Sequence, residues 1–259
     1  AGVVDVWCHG FGESDGHPRF YCPKGMTGLA KWLAAQVTEL GGTIRTEKRV
    51  RSVREDGGAW VVEVEDGSTR LCRDLVLTSP VPQSIEMLDA GGIALPVDQA
   101  DLREVNYKSV LAVLAVLDGP SAIPRPGAVQ QTEDDLFTFV ADNAMKGVSS
   151  VPAVTLHPNG AYSAERWNDD RSRVLRELLD AAREWFGDAS VVEAQLHAWR
   201  YAAPLEARPE SHAVVATSPG LLLLAGEAFA GPKVEGSFNS GCAAAAAVDG
   251  QRNGSTEPA

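Results

Sequence analysis

The apolar pattern of this chain predicts an α/β half joined to an α+β half, and three stretches carry that prediction. From Leu221 to Ala247, LLLLAGEAFAGPKVEGSFNSGCAAAAA reads as a buried strand, a glycine-rich turn and an alanine-rich helix. Between Lys48 and Val76 the apolar residues recur at period two, the spacing of half-buried strands. From Ala164 to Phe186, the side chains of Val174, Leu175, Leu178, Leu179 and Ala182 fall on one helical face. Strands and helices mixed in two compositional blocks are what such a two-part architecture requires.

Taken in order, residues 1–22 are rich in Gly, His and aromatics without a clear period, and are expected to be loop with at most one short strand. Pro23-Lys24-Gly25-Met26-Thr27 opens a helix with Leu29, Ala30, Leu33 and Val37 at helical spacing, Thr27 as its cap and Gly41-Gly42 as its stop. Thr43 to Thr46 then reads as a strand. RVRSVRE, AWVVEVE and TRLCRDLVL are separated by Asp56-Gly57-Gly58 and Asp66-Gly67, which are hairpin turn signals. They predict a β-meander running into an apolar strand, Leu75 to Leu77. Thr78-Ser79-Pro80-Val81-Pro82 ends that strand, and Gln83 to Leu88 makes a short helix.

After Pro96 the composition shifts. Asp101 to Leu117 ends in the strand SVLAVLAVL, and a Pro-rich piece, Pro120 to Gly127, follows. Phe137 to Val140 and Ala153 to His157 read as strands, Ala164 to Phe186 as one amphipathic helix, and Val191 to Tyr201 as a strand again. The polar tail after Gln251 is expected to fray.

At 259 residues the chain can bury a substantial core, as one large domain or two smaller ones. A net charge of −12 argues against nucleic-acid or anionic-membrane partners, which favour a basic face. Cys8, Cys22, Cys72 and Cys242 are scattered, so a reducing, cytoplasmic setting is expected, with each cysteine a small buried hydrophobe. The longest apolar runs, Val110 to Leu117 and Leu221 to Ala225, are strand-sized, not membrane spans. The start, AGVVDVWCHG, has no signal-peptide pattern and no initiator methionine, which fits a beginning inside a longer reading frame.

The chemistry concentrates near the end. Gly226-Glu227 puts a carboxylate at the carboxyl end of a buried strand, Gly231-Pro232 turns the chain, and Val234-Glu235-Gly236-Ser237 leads into a helix. Ligands of open α/β sheets bind outside strand carboxyl ends, and a helix N-terminus adds unpaired N–H groups and positive dipole. The segment therefore has the makings of one wall of a cofactor site. An ordinary strand–loop–helix with a solvated Glu227 has the same pattern. Elsewhere there is no Gly-x-Ser-x-Gly and no P-loop, and His9, His17, His157, His197 and His212 have no metal-ligand spacing. That combination points to a cofactor that carries the reaction itself.

Four pieces in order add a resemblance: YCPKGMTGLAKWLAAQV from Tyr21, the meander followed by DLVLTSPVPQ from Asp74, HAWRYAAP from His197, and LLLAGEAFAGPKVEGSFNSGCAAAA from Leu222. Together, over Tyr21 to Ala247, they resemble the flavin-dependent amine oxidase superfamily, most closely its renalase-like branch. The resemblance implies a FAD/NAD(P)-binding, Rossmann-like domain (22–90 and 205–250) and a mixed-sheet substrate domain (1–21 and 91–204). It implies FAD near Gly226 and Glu227, beside the backbone of Val234, Glu235, Gly236 and Ser237, and against Val50 at the adenine. Thr78, Ser79 and Pro80 resemble the loop that closes over the dinucleotide, and Lys24, Gly25 and Met26 the helix start beside the isoalloxazine. Trp199 and Tyr201, with His197, resemble the strand residues lining the substrate pocket; plain core aromatics are the alternative.

The implied reaction is hydride transfer from a small reduced substrate, a dihydronicotinamide isomer, to flavin and on to O₂, giving H₂O₂. The rivals are an amine or polyamine oxidase, for which Lys24 and Lys233 are the candidate lysines, and a remnant or interaction domain without FAD. One departure stands out. The family's opening strand, Gly-x-Gly-x-x-Gly and helix are missing from this sequence, since Gly10-Phe11-Gly12 is followed by Gly16. A chain without that unit is expected to bind FAD weakly or not at all and to expose apolar sheet edges.

Overall fold

The computed structural model describes residues 2–10, 17–23, 25–132, 134–231 and 233–254. Lys24, Pro232, the stretch 11–16 and the tail beyond 254, all read from sequence above, lie outside the described residues. The first elements are β1 (Asp5–Cys8), β2 (Arg19–Tyr21), α1 (Thr27–Glu39), β3 (Val50–Asp56), β4 (Ala59–Val64), β5 (Thr69–Cys72), β6 (Leu75–Leu77) and α2 (Val81–Ala90). After a 3-10 helix, Val97–Glu104, come β7 (Tyr107–Leu117), β8 (Ala128–Gln130), β9 (Phe137–Asp142), β10 (Ala153–Pro158), α3 (Gly160–Glu165), α4 (Arg171–Ala181) and α5 (Arg183–Phe186). The chain closes with β11 (Val191–Pro204), β12 (Ala213–Ala216), β13 (Leu222–Leu224) and α6 (Val234–Gly254).

Two compact units divide this list. One holds residues 1–44 and 109–200, the other 45–108 and 201–259. The sequence reading placed 22–44, 91–108 and 201–204 differently: α1 belongs to the first unit, and the 3-10 helix, the head of β7 and the end of β11 to the second.

In the first unit a five-stranded sheet has the order β11-β7-β10-β9-β8, with antiparallel pairing around β10. Alternation along the strands sends Leu111, Val113, Val140 and Leu156 to one face, where they pack on Val174, Leu178 and Phe186 of α4 and α5. β1 and β2 form a separate antiparallel pair. α1 buries none of its residues, and Trp32, Leu33 and Val37 are exposed.

In the second unit the meander β3-β4-β5 forms as predicted, with turns at Gly57-Gly58 and Gly67, all at positive φ. A three-stranded sheet, β12-β13-β6, pairs β13 antiparallel to β12 and parallel to β6. All three residues of β13 are buried, as a strand covered on both faces must be. Trp60 joins meander to sheet by donating from Nε1 to the Gly220 carbonyl at 3.1 Å. Asp74, 6% exposed, accepts from the Leu221 amide (3.0 Å), Arg73 (3.0 Å) and Arg252 (3.3 Å), so it ties the start of β13 to the end of α6.

Several expectations need correction. Thr43 to Thr46 is not a strand: a strand exists through its ladder, no described strand pairs there, and the segment is exposed. Among the described residues of 1–22 there are two short strands instead of one. Thr27 is the first residue of α1, whose cap position is Met26 with no side-chain bond. The helix expected from Ala164 to Phe186 is broken into pieces. Asp170 accepts from the Arg173 amide at 2.8 Å and starts α4 afresh, and Asn159 caps α3 from the Tyr162 amide at 2.7 Å. The four cysteines are free, but only Cys22 is buried, and Cys242 is exposed.

Candidate functional site

The parallel pair β6 and β13 brings two carboxyl ends side by side, with Ala225 donating to the Leu77 carbonyl at 3.0 Å. Thr78-Ser79-Pro80 leaves one strand and Gly226-Glu227 the other. Gly226 has φ +130°, and a side chain there would sit 3.5 Å from the Thr78 carbonyl oxygen. Beside them Tyr107 performs two tasks at once. Its hydroxyl donates to Glu227 Oε1 at 3.0 Å and accepts from the Val81 amide at 3.1 Å, the first N–H of α2 after its Pro80 cap. Burial pushes the Tyr107 phenol well above its usual range; the Val81 amide opposes this and the Glu227 charge adds to it. The Tyr201 ring meets Tyr107 edge-on at 5.3 Å.

α6 is held to the same turn by a buried serine. Ser240, fully buried, accepts from the Gly226 amide at 2.9 Å and donates to the Ser211 carbonyl at 2.6 Å. Gly236 is explained by packing within the chain: a Cβ there would strike the Gly231 carbonyl oxygen and lie 2.7 Å from that of Ala230. Within α6, Ser237 already donates its amide to the Lys233 carbonyl at 3.0 Å, so the amides of Val234, Glu235 and Gly236 are those that helix geometry leaves facing outward from the N-terminus. Val234 and Glu235 are exposed, Ser237 is half-buried, and Lys233 immediately precedes the helix.

Next to β6 lies a cavity of about 520 Å³, lined by Val50 of β3, Leu75 to Ser79, and Gln83 and Met87 of α2 among others. Two of the sequence-predicted residues, Val50 and Thr78, thus share one cavity wall. Val50 opens β3 instead of following an earlier strand.

In the first unit, the sheet face opposite the helices carries a row of rings. Phe139 and His157 are 5.6 Å apart between centroids, His157 and Trp199 6.3 Å, and Trp199 and His197 4.6 Å. Trp199 is 41% exposed, so it is not a plain core aromatic. Lys146 stands at the end of the row, its Nζ 4.8 Å from the Trp7 ring and 5.9 Å from Phe139. Burial lowers the pKa of Lys146; it also lowers that of His157, and the Lys146 charge lowers it further. Gly25 takes a positive φ in the turn before α1, with its amide bonded to the Cys22 carbonyl at 2.8 Å, and Met26 is exposed.

Sequence reasoning thus singled out Gly226, Gly236 and Glu227 of the second unit but passed over Tyr107 and Ser240, which the structure places beside Glu227 and Gly226. It listed His157 only as a residue without metal spacing, and it passed over Lys146. The one available signal for Tyr107 was its position at the head of a long apolar strand.

These features fit the flavin cofactor in the second unit. A cavity lies beside Val50 and Thr78, a carboxylate is held at a strand end, and a helix N-terminus lies close by in sequence. Among curated proteins none matches the chain by sequence. Among solved structures, cyclohexylamine oxidase from Brevibacterium oxydans IH-35A is similar at 17% identity and TM-score 0.68, over 93% of this chain and 56% of that one. A protein from Exiguobacterium sp. 255-15, named provisionally as a protoporphyrinogen oxidase, is similar at 13% identity and TM-score 0.63, over 88% of this chain and 51% of that one. The chain therefore spans about half the length of these structures, and the likeness is one of fold. The family model for flavin containing amine oxidoreductase, a description that implies FAD, matches residues 5–249. The chain belongs to the flavin containing amine oxidoreductase family.

Proposed function

We propose that this chain serves an FAD-dependent oxidoreductase of the renalase-like branch, one that oxidises a small dihydronicotinamide isomer. The substrate loses a hydride, one proton is taken up from solvent, and O₂ is reduced to H₂O₂. The two-electron acceptor chemistry is that of bound FAD. The observation that carries the reading is the juxtaposition of Glu227, Tyr107 and Thr78 where β6 and β13 end side by side.

In this reading Val50 and Thr78, with Ser79, line the adenosine side, while Pro80 sets the turn into α2. Glu227 keeps one oxygen on Tyr107 and offers the other to a ligand hydroxyl. The outward amides of Val234, Glu235 and Gly236 face an edge that becomes electron-rich, with Ser237 closing the turn, a role that helix-end dipoles favour. His197, Trp199 and Tyr201 supply the stacking surface that excludes water and orients the substrate ring, which hydride transfer requires more than a strong base.

Titrating the purified chain with FAD, followed by equilibrium dialysis and visible absorbance, tests this. Saturable binding that weakens about tenfold in Glu227→Ala, a loss of about 1.4 kcal/mol, is expected. A chain that takes up no FAD at any concentration overturns the reading in favour of an interaction domain without flavin.

A further inference from the structure

The turn that carries Glu227 is fixed from two sides. From α6, the buried Ser240 takes the Gly226 amide at 2.9 Å. From the head of β7, the Tyr107 hydroxyl holds the carboxylate itself at 3.0 Å. The direction of that bond cannot reverse. A backbone N–H only donates, so the Val81 amide, 3.1 Å away, occupies a lone pair of the hydroxyl and leaves its proton for Glu227 Oε1. Pro80, at the cap position of α2, makes no side-chain bond to the helix amides, and Tyr107 supplies the missing acceptor. The Tyr201 ring packs edge-on against the phenol at 5.3 Å between centroids.

Among the described residues, Tyr107 is the sole hydrogen-bond partner of the Glu227 side chain, so the lone pairs of Oε2 are open. Glu227 is half-buried, in the turn just past β13. A glutamate side chain with no anchor samples several rotamers, and a ligand that binds it has to freeze them. Tyr107 removes that freedom before any ligand arrives. It is itself anchored to two elements, β7 through its backbone and the start of α2 through Val81.

We propose that Tyr107 is a positioning residue, which holds Glu227 with Oε2 presented as an acceptor, so that a ligand hydroxyl meets a carboxylate already in place. The assignment rests on the functional reading above for the identity of the ligand, FAD. It goes beyond that reading by tracing part of the affinity to a residue that acts through Glu227 without touching the ligand.

The test is a thermodynamic cycle on FAD affinity, measured by equilibrium dialysis of the whole chain well below its melting temperature. Tyr107→Phe, which removes the hydroxyl and keeps the ring, should weaken FAD binding about fivefold. In Glu227→Ala, itself about tenfold weaker, the same change should cost less than about twofold. A tyrosine that only supports the fold lowers affinity equally in both backgrounds. Asp74→Asn is the control: it loosens the same unit without touching Glu227, and it should keep the wild-type affinity. Circular dichroism checks folding; if the double variant does not fold, the contrast between Tyr107→Phe and Asp74→Asn decides. Unaltered affinity in Tyr107→Phe, or an equal loss in both backgrounds or in Asp74→Asn, overturns this proposal and leaves the functional reading standing. A wild-type chain that takes up no FAD, or Glu227→Ala that binds it as tightly as wild type, overturns the functional reading and this proposal with it.

Discussion

Tyr107 shows how much one hydroxyl can organise. Its oxygen serves a carboxylate, as donor, and a helix-opening amide, as acceptor, 120 and 26 residues away in sequence. Tyr107→Phe leaves both partners unsatisfied in a half-buried place, and a bond to a charged group is worth about 1.5–3 kcal/mol. We expect a melting temperature lower by several degrees, since about 2–4 °C accompanies each kcal/mol in a protein of this size. Differential scanning calorimetry checks it, and an unchanged melt removes Tyr107 from the site. Glu227, Gly226 and Thr78 were legible in sequence because each sits at the punctuation of an apolar strand. Tyr107 was not, because the partners that give it meaning come from remote parts of the chain. Gly236 teaches a different lesson. The resemblance implied a cofactor beside its backbone, but the atoms that a side chain there would meet are the carbonyls of Ala230 and Gly231, so its identity needs no ligand to explain it.

Among the elements, α6 depends on Ser240 for its seat. Replacing it with alanine improves helix propensity by roughly 0.5 kcal/mol, yet it strips the Gly226 amide of its acceptor, which costs about 1–3 kcal/mol. The penalty wins. Ser240→Ala should therefore lose about 1–2 kcal/mol in urea unfolding, whereas Ser237→Ala in the same helix should fall within about 0.5 kcal/mol of wild type. Equal effects of the two would mean that Ser240 does not hold the turn. The meander was readable because Asp-Gly pairs interrupt a clean period of two. The stretch from Ala164 to Phe186 misled because its apolar stripe runs on through a break. Asn168, Asp169 and Asp170 are the residues that turn a helix interior into a cap, and Asp170 does so. Thr43 to Thr46 misled for the opposite reason: extended propensity is local, whereas pairing depends on a neighbour that no local pattern reveals.

At the scale of the whole molecule, the sequence carries 35 aspartates and glutamates, and a net charge of −12 does not say on which of them the fold depends. The structure locates one source of acid sensitivity at Asp74. Burial alone would raise its pKa, but the Leu221 amide, Arg73 and Arg252 outweigh that and hold it below its ordinary 3.8. A depressed carboxylate stabilises the fold fully above its unfolded value, and that contribution is lost as pH falls through the lower, folded value. Asp74→Asn should thus be less stable than wild type at neutral pH, by about 1–3 kcal/mol for the lost charge-assisted bonds, with the gap closing below pH ~4. Urea unfolding across pH measures this, and a gap that stays constant into acid would exclude Asp74 as a source.

Neither unit is continuous in sequence: the first is closed by residues up to 200, the second by residues after it. During synthesis, then, β6 and α2 leave the ribosome long before β13 and α6 exist to cover them, and the strands of the other unit are translated in the interval. The pair of strand ends that carries Glu227 and Thr78 is accordingly among the last pieces of the described fold to be assembled. The turn that holds Glu227 on Tyr107 therefore forms only after β13 has been made.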